Sequence, residues 1–452
     1  MSAQNARAAT AIVILAAGKG TRMRSKHPKV LHRIAGQPML HFAMRAAQTL
    51  QPERMAIVVG HDAEAVADSA RELEPTVEIC LQEDQLGTGH AVRMAEEVLA
   101  DFDGQLIVLF GDTPFLSAET MANLVDAPDA VTVLGFHTND PGRYGRLVME
   151  GESLLRITEA KDANPQELAI TACNSGVMAG PAKTMFRLLA QLTSENAQGE
   201  YYLTDVPALA RAEGLKTRAV FCDISETLGI NDRKDLAAAE AAFQARARIN
   251  AMASGATLVA PETVHFAWDT ALGRDVVIEP NVVFGPGVEI EDEVTVRAFC
   301  HLTETRIAPG ASIGPFARLR GGAEIGEGAY IGNFVEMKKV TFGPGSKASH
   351  LTYVGDASVG SGANLGAGTI TCNYDGVSKH RTQIGDDAFI GTNTALVAPV
   401  SVGDGAYTAT GSVITKDVPP GDLAIARNRQ ENKQGLATRL RQRLLDQKVG
   451  KE

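Results

Sequence analysis

A period of six residues runs through the second half of the chain and constrains its fold more than any other feature. An α-helix repeats about every 3.6 residues and a simple strand every two or so, and neither gives six. Short strands joined by tight turns do, if each strand sends one large and one small side chain inward. The large residues form four series: Ile278, Phe284, Ile290, Val296, Leu302; Ile313, Leu319, Ile325, Ile331, Met337; Tyr353, Val359, Leu365; and Ile384, Ile390, Leu396, Val402, Thr408, Ile414.

Glycine is concentrated in the same region. Residues 276–421 hold 23 of the 44 glycines, and many directly follow the aliphatic residue, as in Ile325-Gly326. We expect these glycines to supply the positive φ angles that tight turns need. Stacked coils of this kind make a β-helix, of which a hexapeptide repeat is typical. A glycine-rich β-sandwich is the alternative, but its strands would alternate with period two.

The six-residue pattern fails at 303–307, 338–352 and 371–383. We expect loops to leave the stack at these three places, and loops often carry functional residues. The last segment, 427–452, holds eight Lys/Arg and three Asp/Glu. This composition is typical of a solvated tail or helix; binding of an anionic cofactor is the alternative.

The first 230 residues alternate short apolar runs with helical patterns. Runs at 11–15, 55–59, 105–110 and 131–136 predict strands, and 38–50 and 88–100 predict helices. This alternation indicates a mostly parallel sheet covered on both faces. An Ala-, Glu- and Arg-rich stretch at 232–250 predicts one helix, with Asn231 or Asp232 near its N-cap.

Composition excludes several classes of protein. The net charge of −11 argues against a nucleic-acid-binding protein. No apolar run is long enough for a membrane span, and the apolar run near the N-terminus indicates a first strand and not a signal peptide. Five scattered cysteines fit a reducing cytoplasm and argue against disulfides or structural zinc.

A second pattern lies where the first predicted strand ends. Small residues there would let the backbone approach a nucleotide and cradle its phosphates, which Lys19, Arg22 and Lys29 could neutralise. The pattern is neither a P-loop nor a dinucleotide fingerprint. It resembles the nucleotidyltransferases that join a nucleoside triphosphate to a sugar 1-phosphate. The residues are Leu15-Ala16-Ala17-Gly18-Lys19-Gly20-Thr21-Arg22-Met23, then Pro28-Lys29.

Two further segments support this resemblance. Gln82 precedes the loop 85–91 (QLGTGHA), which reads the base in such enzymes, although Thr88 could instead be a plain helix N-cap. Asp112 follows the strand 105–110 at its carboxyl end, where open α/β sheets bind ligands. A carboxylate there is a candidate ligand for magnesium.

The remaining motifs extend the resemblance to nearly the whole chain, from about Ile12 to Arg427. They are Tyr144-Gly145-Arg146, Glu159-Ala160-Lys161-Asp162, Asn174-Ser175-Gly176, the segment 199–205 (GEYYLTD) and Gly229-Ile230-Asn231. With the hexapeptide half, they resemble the bacterial bifunctional N-acetylglucosamine-1-phosphate uridyltransferases / glucosamine-1-phosphate N-acetyltransferases. The family implies an α/β fold: a doubly wound, Rossmann-like uridyltransferase domain at 1–231, a linking helix at 232–250, and a left-handed parallel β-helix acetyltransferase domain with a tail at 251–452.

The resemblance also implies the roles of residues in the N-terminal half. Lys29 would be catalytic, holding the phosphates of UTP, and Asp112 and Asn231 would bind Mg²⁺. Gly145, Glu159 and Asn174 would hold N-acetylglucosamine, and Phe110 stands where the family often has Tyr. The set expected to bind UTP and UDP-N-acetylglucosamine is Leu15, Ala16, Ala17, Gly18, Lys29, Gln82, Gly87, Thr88, Gly111, Asp112, Gly145, Glu159, Asn174 and Asn231.

In the C-terminal half, the resemblance implies that His350 is the catalytic base. A histidine suits this role because imidazole titrates near neutral pH. Arg320, Lys338, Tyr353 and Asn364 would bind glucosamine phosphate. The set matching acetyl-coenzyme A positions is Ala367, Asn373, Tyr374, Thr392, Thr410 and Arg427. Thr392 and Thr410 depart from the more usual Ser and Ala, and the segment 319–323 (LRGGA) replaces Leu-Arg-Pro-Gly-Ala.

The family implies a cytoplasmic homotrimer that acts on sugar phosphates, UTP and acetyl-CoA, with no nucleic acid or membrane partner. Its product, UDP-N-acetylglucosamine, feeds peptidoglycan and lipopolysaccharide synthesis. Two alternatives remain: a monofunctional sugar-nucleotide pyrophosphorylase with a structural β-helix, and a non-catalytic scaffold that binds nucleotide. His350, Asn373 and Tyr374 argue against the first, and Lys29, Asp112 and Asn231 against the second.

Overall fold

A computed structural model describes residues 9–449. The chain divides into two compact units, the first ending at Ala247 and the second beginning at Arg248. Residues 1–8 and 450–452, which belong to the ends of the first and last expected domains, lie outside the described residues. No helix in the described part of the chain is both long and apolar enough to cross a membrane.

A nine-stranded sheet forms the first unit, in the order β5-β4-β1-β6-β10-β7-β11-β9-β8. Seven of these strands point the same way, while β9 and β10 are reversed. A two-stranded hairpin, β2-β3, lies apart. The strands are β1 (Thr10–Leu15), β2 (Arg33–Ile34), β3 (Gln37–Pro38), β4 (Arg54–Val59), β5 (Glu78–Leu81), β6 (Gln105–Phe110), β7 (Ala130–His137), β8 (Arg146–Glu150), β9 (Ser153–Thr158), β10 (Ala172–Pro181) and β11 (Lys216–Phe221).

Helices cover both faces of this sheet, as the sequence predicted. Alternate residues of β1 enter two different cores: Ala11 and Val13 lie in one, Ile12 and Ile14 in the other. A strand buried on both sides needs apolar residues at every position, which explains its unbroken apolar run. The helices are α1 (Met39–Gln48), α2 (Ala63–Leu73), α3 (Thr88–Arg93), α4 (Ala118–Leu124), α5 (Pro165–Leu168), α6 (Ala182–Leu189) and α7 (Val206–Ala212), with 3-10 turns at Thr21–Met23, Lys29–Leu31, Leu203–Asp205 and Ile224–Thr227.

The helix predicted at 88–100 is shorter than expected, because α3 ends at Arg93. The backbone continues as turns with i to i−3 hydrogen bonds, from Ala95 to Val92 and from Glu96 to Arg93. Ala95 and Leu99 are nevertheless buried. The apolar spacing therefore marked the buried side of this segment correctly but not its hydrogen-bonding pattern.

A 21-residue helix, α8, spans Arg233–Ala253 where the sequence predicted a helix at 232–250. Asp232 is its N-terminal cap, since one carboxylate oxygen accepts the backbone N–H groups of Lys234 and Asp235 at 2.8 and 2.9 Å. The cap satisfies donors that the first helical turn leaves unpaired.

Parallel strands in stacked coils form the second unit, as the six-residue period predicted. One sheet has ten strands and the other fourteen. The long strands β24 and β26 join two strand columns of the larger sheet. The strands are β12 (Thr257–Leu258), β13 (Ala271–Leu272), β14 (Val277–Ile278), β15 (Val283–Phe284), β16 (Val288–Ile290), β17 (Thr295–Val296), β18 (His301–Leu302), β19 (Thr305–Ile307), β20 (Ser312–Ile313), β21 (Arg318–Arg320), β22 (Ala323–Ile325), β23 (Tyr330–Asn333), β24 (Glu336–Phe342), β25 (Lys347–His350), β26 (Tyr353–Val359), β27 (Asn364–Leu365), β28 (Ile370–Cys372), β29 (Thr382–Ile384), β30 (Phe389–Ile390), β31 (Ala395–Val397), β32 (Val400–Val402), β33 (Tyr407–Thr408), β34 (Val413–Ile414) and β35 (Leu423–Ala424).

The register of the ten-stranded sheet gives the length of each coil. Ile278 pairs with Val296, a step of 18 residues, whereas Val296 pairs with Ile313, a step of 17. The steps from Ile331 to Ala348 and from Ala348 to Leu365 are also 17. A coil one residue short shifts the six-residue pattern without leaving the stack.

The prediction that a loop leaves the stack is therefore wrong at two of the three places. Residues 303–307 include β19, and 338–352 include β25 and most of β24, so both stay within the coils. Only 371–383 leaves the stack: the step from Leu365 to Ile390 is 25 residues long. One residue of the aliphatic series is also misplaced, because Val354, and not Tyr353, pairs with the buried Met337.

The glycines that follow aliphatic residues serve close packing more than turn geometry. Gly326 is not among the residues with positive φ, but a Cβ placed on it would lie 2.6 Å from the backbone nitrogen of Pro344 in the next coil. Positive φ occurs elsewhere in the coils, at Gly328 and at bulky residues such as Phe316. The expectation that glycines following an aliphatic residue supply positive φ angles is correct at Gly314 but wrong at Gly326.

We expect Gly326→Ala to destabilise the β-helix by about 3 kcal/mol, because a rigid neighbouring backbone must move to admit the methyl group. Gly328→Ala, two residues away, has open space around its Cβ and a φ of +61°, so only backbone strain of roughly 1 kcal/mol opposes it. Urea unfolding of the two variants measures the difference. Equal losses of unfolding free energy would contradict the packing explanation.

The C-terminal segment forms a helix, α9 (Leu436–Val449), as one of the two interpretations of its composition predicted. Its side chains from Leu436 to Lys448 are exposed or, for Leu436, half-exposed.

Candidate functional sites

The residues that follow β1 form one side of a cavity of about 320 Å³ in the first unit. Nine of the fourteen residues that the sequence predicted for nucleotide binding line it: Leu15, Ala16, Ala17, Gly18, Lys29, Gln82, Gly87, Thr88 and Asp112. The cavity also contacts Val30, Gln85, Ala91, Phe110 and Glu200. Since β1 and β6 are parallel neighbours, their carboxyl ends meet at this edge of the sheet.

Lys29 and Asp112 form an ion pair at the cavity wall, with both side chains largely buried. The backbone N–H of Gly111 donates to the carbonyl of Leu15 at 3.0 Å, which fixes the end of β6 against the loop. Gly20 has a φ of +58°, and a Cβ on it would lie 2.6 Å from the Cβ of Lys29. Glycine at this position therefore allows Lys29 to reach the cavity.

Asn231 lies next to this pair. The backbone N–H of Ile230 donates to the carbonyl of Asp112 at 3.0 Å, so the two expected metal ligands sit on bonded segments. Arg22 Nη2 donates to Asn231 Oδ1 at 2.8 Å. The first unit thus gathers a carboxylate, an amide oxygen and two cations at one edge of its sheet.

The segments 85–91 and 199–205 are hydrogen-bonded to each other and form another side of the cavity. The backbone N–H of Tyr201 donates to Leu86 O at 2.8 Å, and Gly89 N–H donates to Tyr201 O at the same distance. Thr88 is the first residue of α3 and does not cap it; its hydroxyl accepts the N–H of Leu203 at 3.2 Å. The alternative of a plain N-cap is therefore wrong, because Gly87 occupies that position.

The three residues expected to hold N-acetylglucosamine lie together but outside the cavity lining. A Cβ on Gly145 would be 3.5 Å from the Cβ of Asn174 and 3.6 Å from Glu159 Oε1. Thr204 Oγ1 donates to the same Glu159 oxygen at 3.1 Å. Burial raises the pKa of Glu159 above that of an ordinary glutamate. The cluster offers acceptors for sugar hydroxyl groups.

Sequence reasoning did not assign Gln85, Glu200 or Phe110 to this site, although all three line the cavity. Gln85 Nε2 donates to Ala17 O at 2.7 Å and so holds the glycine-rich loop, residues 16–28 between β1 and the 3-10 turn that begins at Lys29. Gln85 and Glu200 belong to the motifs 85–91 and 199–205, and their place in these motifs could have predicted them as site residues. Phe110 lies over Gly176, where any Cβ would be 2.8 Å from the ring.

In the second unit, Arg320 and Lys338 occupy the same position of successive coils. Lys379, on the loop 371–383, lies close enough to Lys338 to lower the pKa of that amine, and Arg320 adds to the effect. Arg320 Nε also donates to Glu336 Oε1 at 2.7 Å. Three cations near one another favour an anion such as a phosphate. Sequence reasoning missed Lys379, because only the loop's path brings it back to the coil.

Tyr353 and Asn373 meet beside this cationic group. Gly355 is the next residue in the column after Lys338. A Cβ on Gly355 would lie 2.7 Å from Tyr353 Cζ and 2.9 Å from Asn373 Nδ2. Asn373, which is 8% exposed, donates its amide to Asp356. Asn373 therefore lies with the expected glucosamine-phosphate residues, although the sequence had grouped it with the acetyl-CoA residues.

His350 lies at a different corner of the coils. Its Nδ1 is 2.5 Å from Asn333 Oδ1, its register partner in the preceding coil. An amide oxygen can only accept a hydrogen bond, so Nδ1 carries the hydrogen and donates it, and Nε2 is left as an acceptor. The side chain is exposed, so Nε2 can meet a substrate.

Ala367, Thr392 and Thr410 form a column below His350. Leu365, Ile390 and Thr408 pair in successive coils, and each of the three residues follows its paired residue by two positions. Gly368 N–H contacts His350 O at 3.4 Å, which places the histidine at the top of the same corner. The register thus brings together the expected base and three expected cofactor residues.

Three predicted residues lie apart from these groups. Asn364 pairs with Lys347 and Phe389 in the middle of the ten-stranded sheet. Tyr374 is 59% exposed and its hydroxyl donates to Gly376 O at 2.6 Å within its own loop. Arg427 is exposed and follows β35.

Comparisons with known proteins identify both halves. Residues 12–202 match the model of the MobA-like NTP transferase domain. Residues 269–304, 304–339 and 381–416 match the bacterial transferase hexapeptide (six repeats), which with the parallel coils fits a left-handed β-helix. A solved structure of UDP-glucose pyrophosphorylase complexed with UDP-glucose aligns at 18% identity with a TM-score of 0.44, covering 53% of this chain and 99% of that one.

Curated relatives match over nearly the whole chain. Bifunctional protein GlmU from Ruegeria sp. (strain TM1040) is 59% identical over 98% of this chain and 99% of its own length. Bifunctional protein GlmU from Paracoccus denitrificans is 55% identical over 97% and 98%, and that from Sphingopyxis alaskensis is 52% identical over 98% of both. The resemblance found in the sequence is confirmed, and the chain belongs to the family of the bifunctional protein GlmU.

Proposed function

We propose that the cavity beside β1 and β6 is the uridylyltransferase site and that the corner column headed by His350 is the acetyltransferase site. The enzyme makes UDP-N-acetylglucosamine in two steps. It acetylates glucosamine 1-phosphate from acetyl-CoA, then transfers uridylyl from UTP to N-acetylglucosamine 1-phosphate and releases pyrophosphate. The observation that carries the first assignment is the Lys29–Asp112 pair in a cavity lined by the small residues Ala16, Ala17 and Gly18.

In the uridylyl step, a phosphate oxygen of the sugar attacks the α-phosphorus of UTP and pyrophosphate leaves. No protein nucleophile is needed, so the residues act by position and charge. Lys29 binds the phosphates, the loop at Gln82 and Gly87 holds the uracil, and Glu159 and Asn174 hold the sugar. We assign this reaction to residues 1–231, with 232–250 as the linking helix.

Asp112 and Asn231 are the proposed ligands of Mg²⁺. Among residues 9–449 there is no group of three or more His, Cys, Asp or Glu side chains that could hold a metal ion. A carboxylate and an amide oxygen suit a hard cation that keeps water and phosphate oxygens as its other ligands. Bound there, Mg²⁺ would neutralise phosphate charge.

In the acetyl step, the neutral amine of glucosamine 1-phosphate attacks the thioester carbonyl. His350 Nε2 takes a proton from the attacking amine and passes it to the sulfur, so that the C–S bond breaks and coenzyme A leaves as its thiol. Arg320, Lys338 and Lys379 bind the sugar phosphate, while Asn373 and Tyr353 lie beside them to orient the sugar. Ala367, Thr392 and Thr410 contact acetyl-CoA. We assign this reaction to residues 251–452.

Lys379→Ala tests the phosphate-binding role directly. We expect the KM for glucosamine 1-phosphate to rise about tenfold, because one charge-assisted hydrogen bond is lost, while the KM for acetyl-CoA stays unchanged. Arg306→Ala is the matched control, since Arg306 is an exposed β-helix cation paired with Glu291. A KM for the sugar phosphate that matches the control's would exclude Lys379 from the site.

We infer that the enzyme is a cytoplasmic homotrimer. A ladder of apolar side chains supports self-association: Phe299, Phe316 and Phe334 stack at 4.9 and 5.0 Å, and Leu351 follows them. All four are between 45% and 63% exposed and have positive φ. Bulky apolar residues rarely adopt this strained conformation, so a partner surface that buries them would offset its cost. All five cysteines are free thiols, as suits a reducing compartment.

Sedimentation equilibrium tests the trimer. We expect three chains per particle for the parent enzyme and a smaller mass for Phe316→Asn, because Asn tolerates positive φ but cannot stack. A monomer with full acetyltransferase activity would contradict a shared apolar interface.

A further inference from the structure

The start of helix α8 is tied to the glycine-rich loop by Arg233. Its Nε donates to the backbone carbonyl of Met23 at 3.2 Å, and its Nη1 lies 3.4 Å from His32 Nδ1. Met23 and His32 are both largely buried. The arginine therefore joins the start of α8 to two neighbouring positions more than 200 residues earlier in the chain, and none of the roles assigned above accounts for it.

The part of the loop that Arg233 holds is strained. A 3-10 turn at Thr21–Met23 is bounded by Gly20 and Arg24, both in the left-handed region with φ of 58° and 47°. A non-glycine residue persists in this conformation only where surrounding contacts impose it. The backbone N–H groups of Met23 and Arg24 close the turn by donating to the carbonyls of Gly20 and Thr21 at 2.9 and 3.2 Å. Arg233 bonds the carbonyl of Met23, the last residue of the turn.

This turn also orients Arg22, which donates to Asn231 Oδ1 at 2.8 Å. Asn231 and Arg233 belong to the same short segment, and Asp235 fixes that segment by accepting the Asn231 backbone N–H at 2.9 Å. The loop donates a hydrogen bond to this segment through Arg22, and the segment donates one to the loop through Arg233. Loss of either hydrogen bond would therefore shift the residues that make the other.

We infer that Arg233 is a positioning residue for uridylyl transfer, which holds the glycine-rich loop in its present conformation through Met23 and His32. The inference rests on the proposed role of the loop in binding UTP. Without Arg233, the turn would relax and UTP would have to order it on binding, which weakens apparent affinity. Burial, the charge of Arg233 and His27 together lower the pKa of His32, which leaves Nδ1 free to accept from the guanidinium.

Kinetics of Arg233→Gln in the full chain test this role. We expect the KM for UTP to rise about tenfold, since a hydrogen bond from a charged donor is lost. The KM for N-acetylglucosamine 1-phosphate should stay within about twofold, because Glu159 and Asn174 are untouched. Arg233→Lys keeps one donor and a charge, so it should recover part of the affinity.

Trypsin gives a readout that does not depend on catalysis. The loop contains Lys19, Arg22, Arg24 and Lys26, and we expect it to be cut faster in Arg233→Gln, with UTP slowing the cut. Arg218→Gln is the control: Arg218 also bonds a distant carbonyl, Asn123 O at 2.8 Å, but away from the cavity.

A UTP KM and a loop-cleavage rate equal to those of Arg218→Gln would overturn the inference. Lys29→Ala separates this outcome from failure of the proposed site. If Lys29→Ala loses uridylyl transfer while Arg233→Gln behaves like the control, only the role of Arg233 is wrong. If Lys29→Ala is fully active, the site itself is wrong. Should Arg233→Gln not fold, Arg233→Lys carries the same comparison.

Discussion

Asp112→Ala removes uridylyl transfer and leaves acetyl transfer intact: we expect pyrophosphate release to fall by at least about a thousandfold. Asp112 lines the cavity and is the carboxylate paired with Lys29, and the segment that carries Asn231 is hydrogen-bonded to it. Its loss removes a proposed metal ligand and leaves Lys29 without the carboxylate it pairs with. The measurement is pyrophosphate release from UTP and N-acetylglucosamine 1-phosphate.

Two variants make this result specific. Asp112→Asn keeps the side-chain shape and avoids a void next to Lys29, so a folded protein without activity would separate charge from packing. Asp129→Ala removes an exposed carboxylate paired with Lys216 in the same unit, and we expect full activity. Substantial pyrophosphate release by Asp112→Asn, or loss of both activities in a folded Asp112→Ala, would contradict the assignment.

His350→Ala has the opposite effect. We expect acetyl transfer to fall between about a hundredfold and ten-thousandfold, the usual contribution of a general base, while uridylyl transfer is unchanged. His350 is exposed, has an acceptor at Nε2 fixed by Asn333, and heads the column of Ala367, Thr392 and Thr410. Acetyl-CoA consumption with glucosamine 1-phosphate measures it.

His301→Ala is the control for this variant, because His301 is an exposed histidine of β18 on another part of the coils. Asn333→Ala should lower kcat with little change in KM, since the proposed role of Asn333 is to orient the ring through Nδ1 and not to bind substrate. Full acetyl transfer by His350→Ala would show that the amine loses its proton to another group.

The six-residue period predicted the β-helix because burial repeats with it. It could not predict which irregularities are loops, since a coil that is one residue short and an inserted segment both interrupt the count. The 17-residue step from Ile331 to Ala348 keeps 338–352 inside the stack, whereas the 25-residue step from Leu365 to Ile390 expels 371–383. Only pairing between coils separates the two cases.

The site residues also fall into two groups, those that the sequence predicted and those that only the folded structure reveals. Motif residues at strand ends, such as Ala16 after β1 and Asp112 after β6, converge as predicted because parallel strands share an edge. Lys379 was missed because a loop, and not a repeat, returns it to Lys338. Thr88 was open to two interpretations because its partner, Leu203, lies far away in sequence. Long-range contacts of single side chains leave no periodic trace.

The central claim is that one chain carries two independent sites, and mixing two inactive variants tests it most directly. Asp112→Ala supplied with glucosamine 1-phosphate, acetyl-CoA and UTP should accumulate N-acetylglucosamine 1-phosphate, and His350→Ala should leave the amine unreacted. Combined in one solution, the two folded variants should form UDP-N-acetylglucosamine, because the intermediate made by one diffuses to the other. A mixture that stays as inactive as either variant alone would contradict two independent sites.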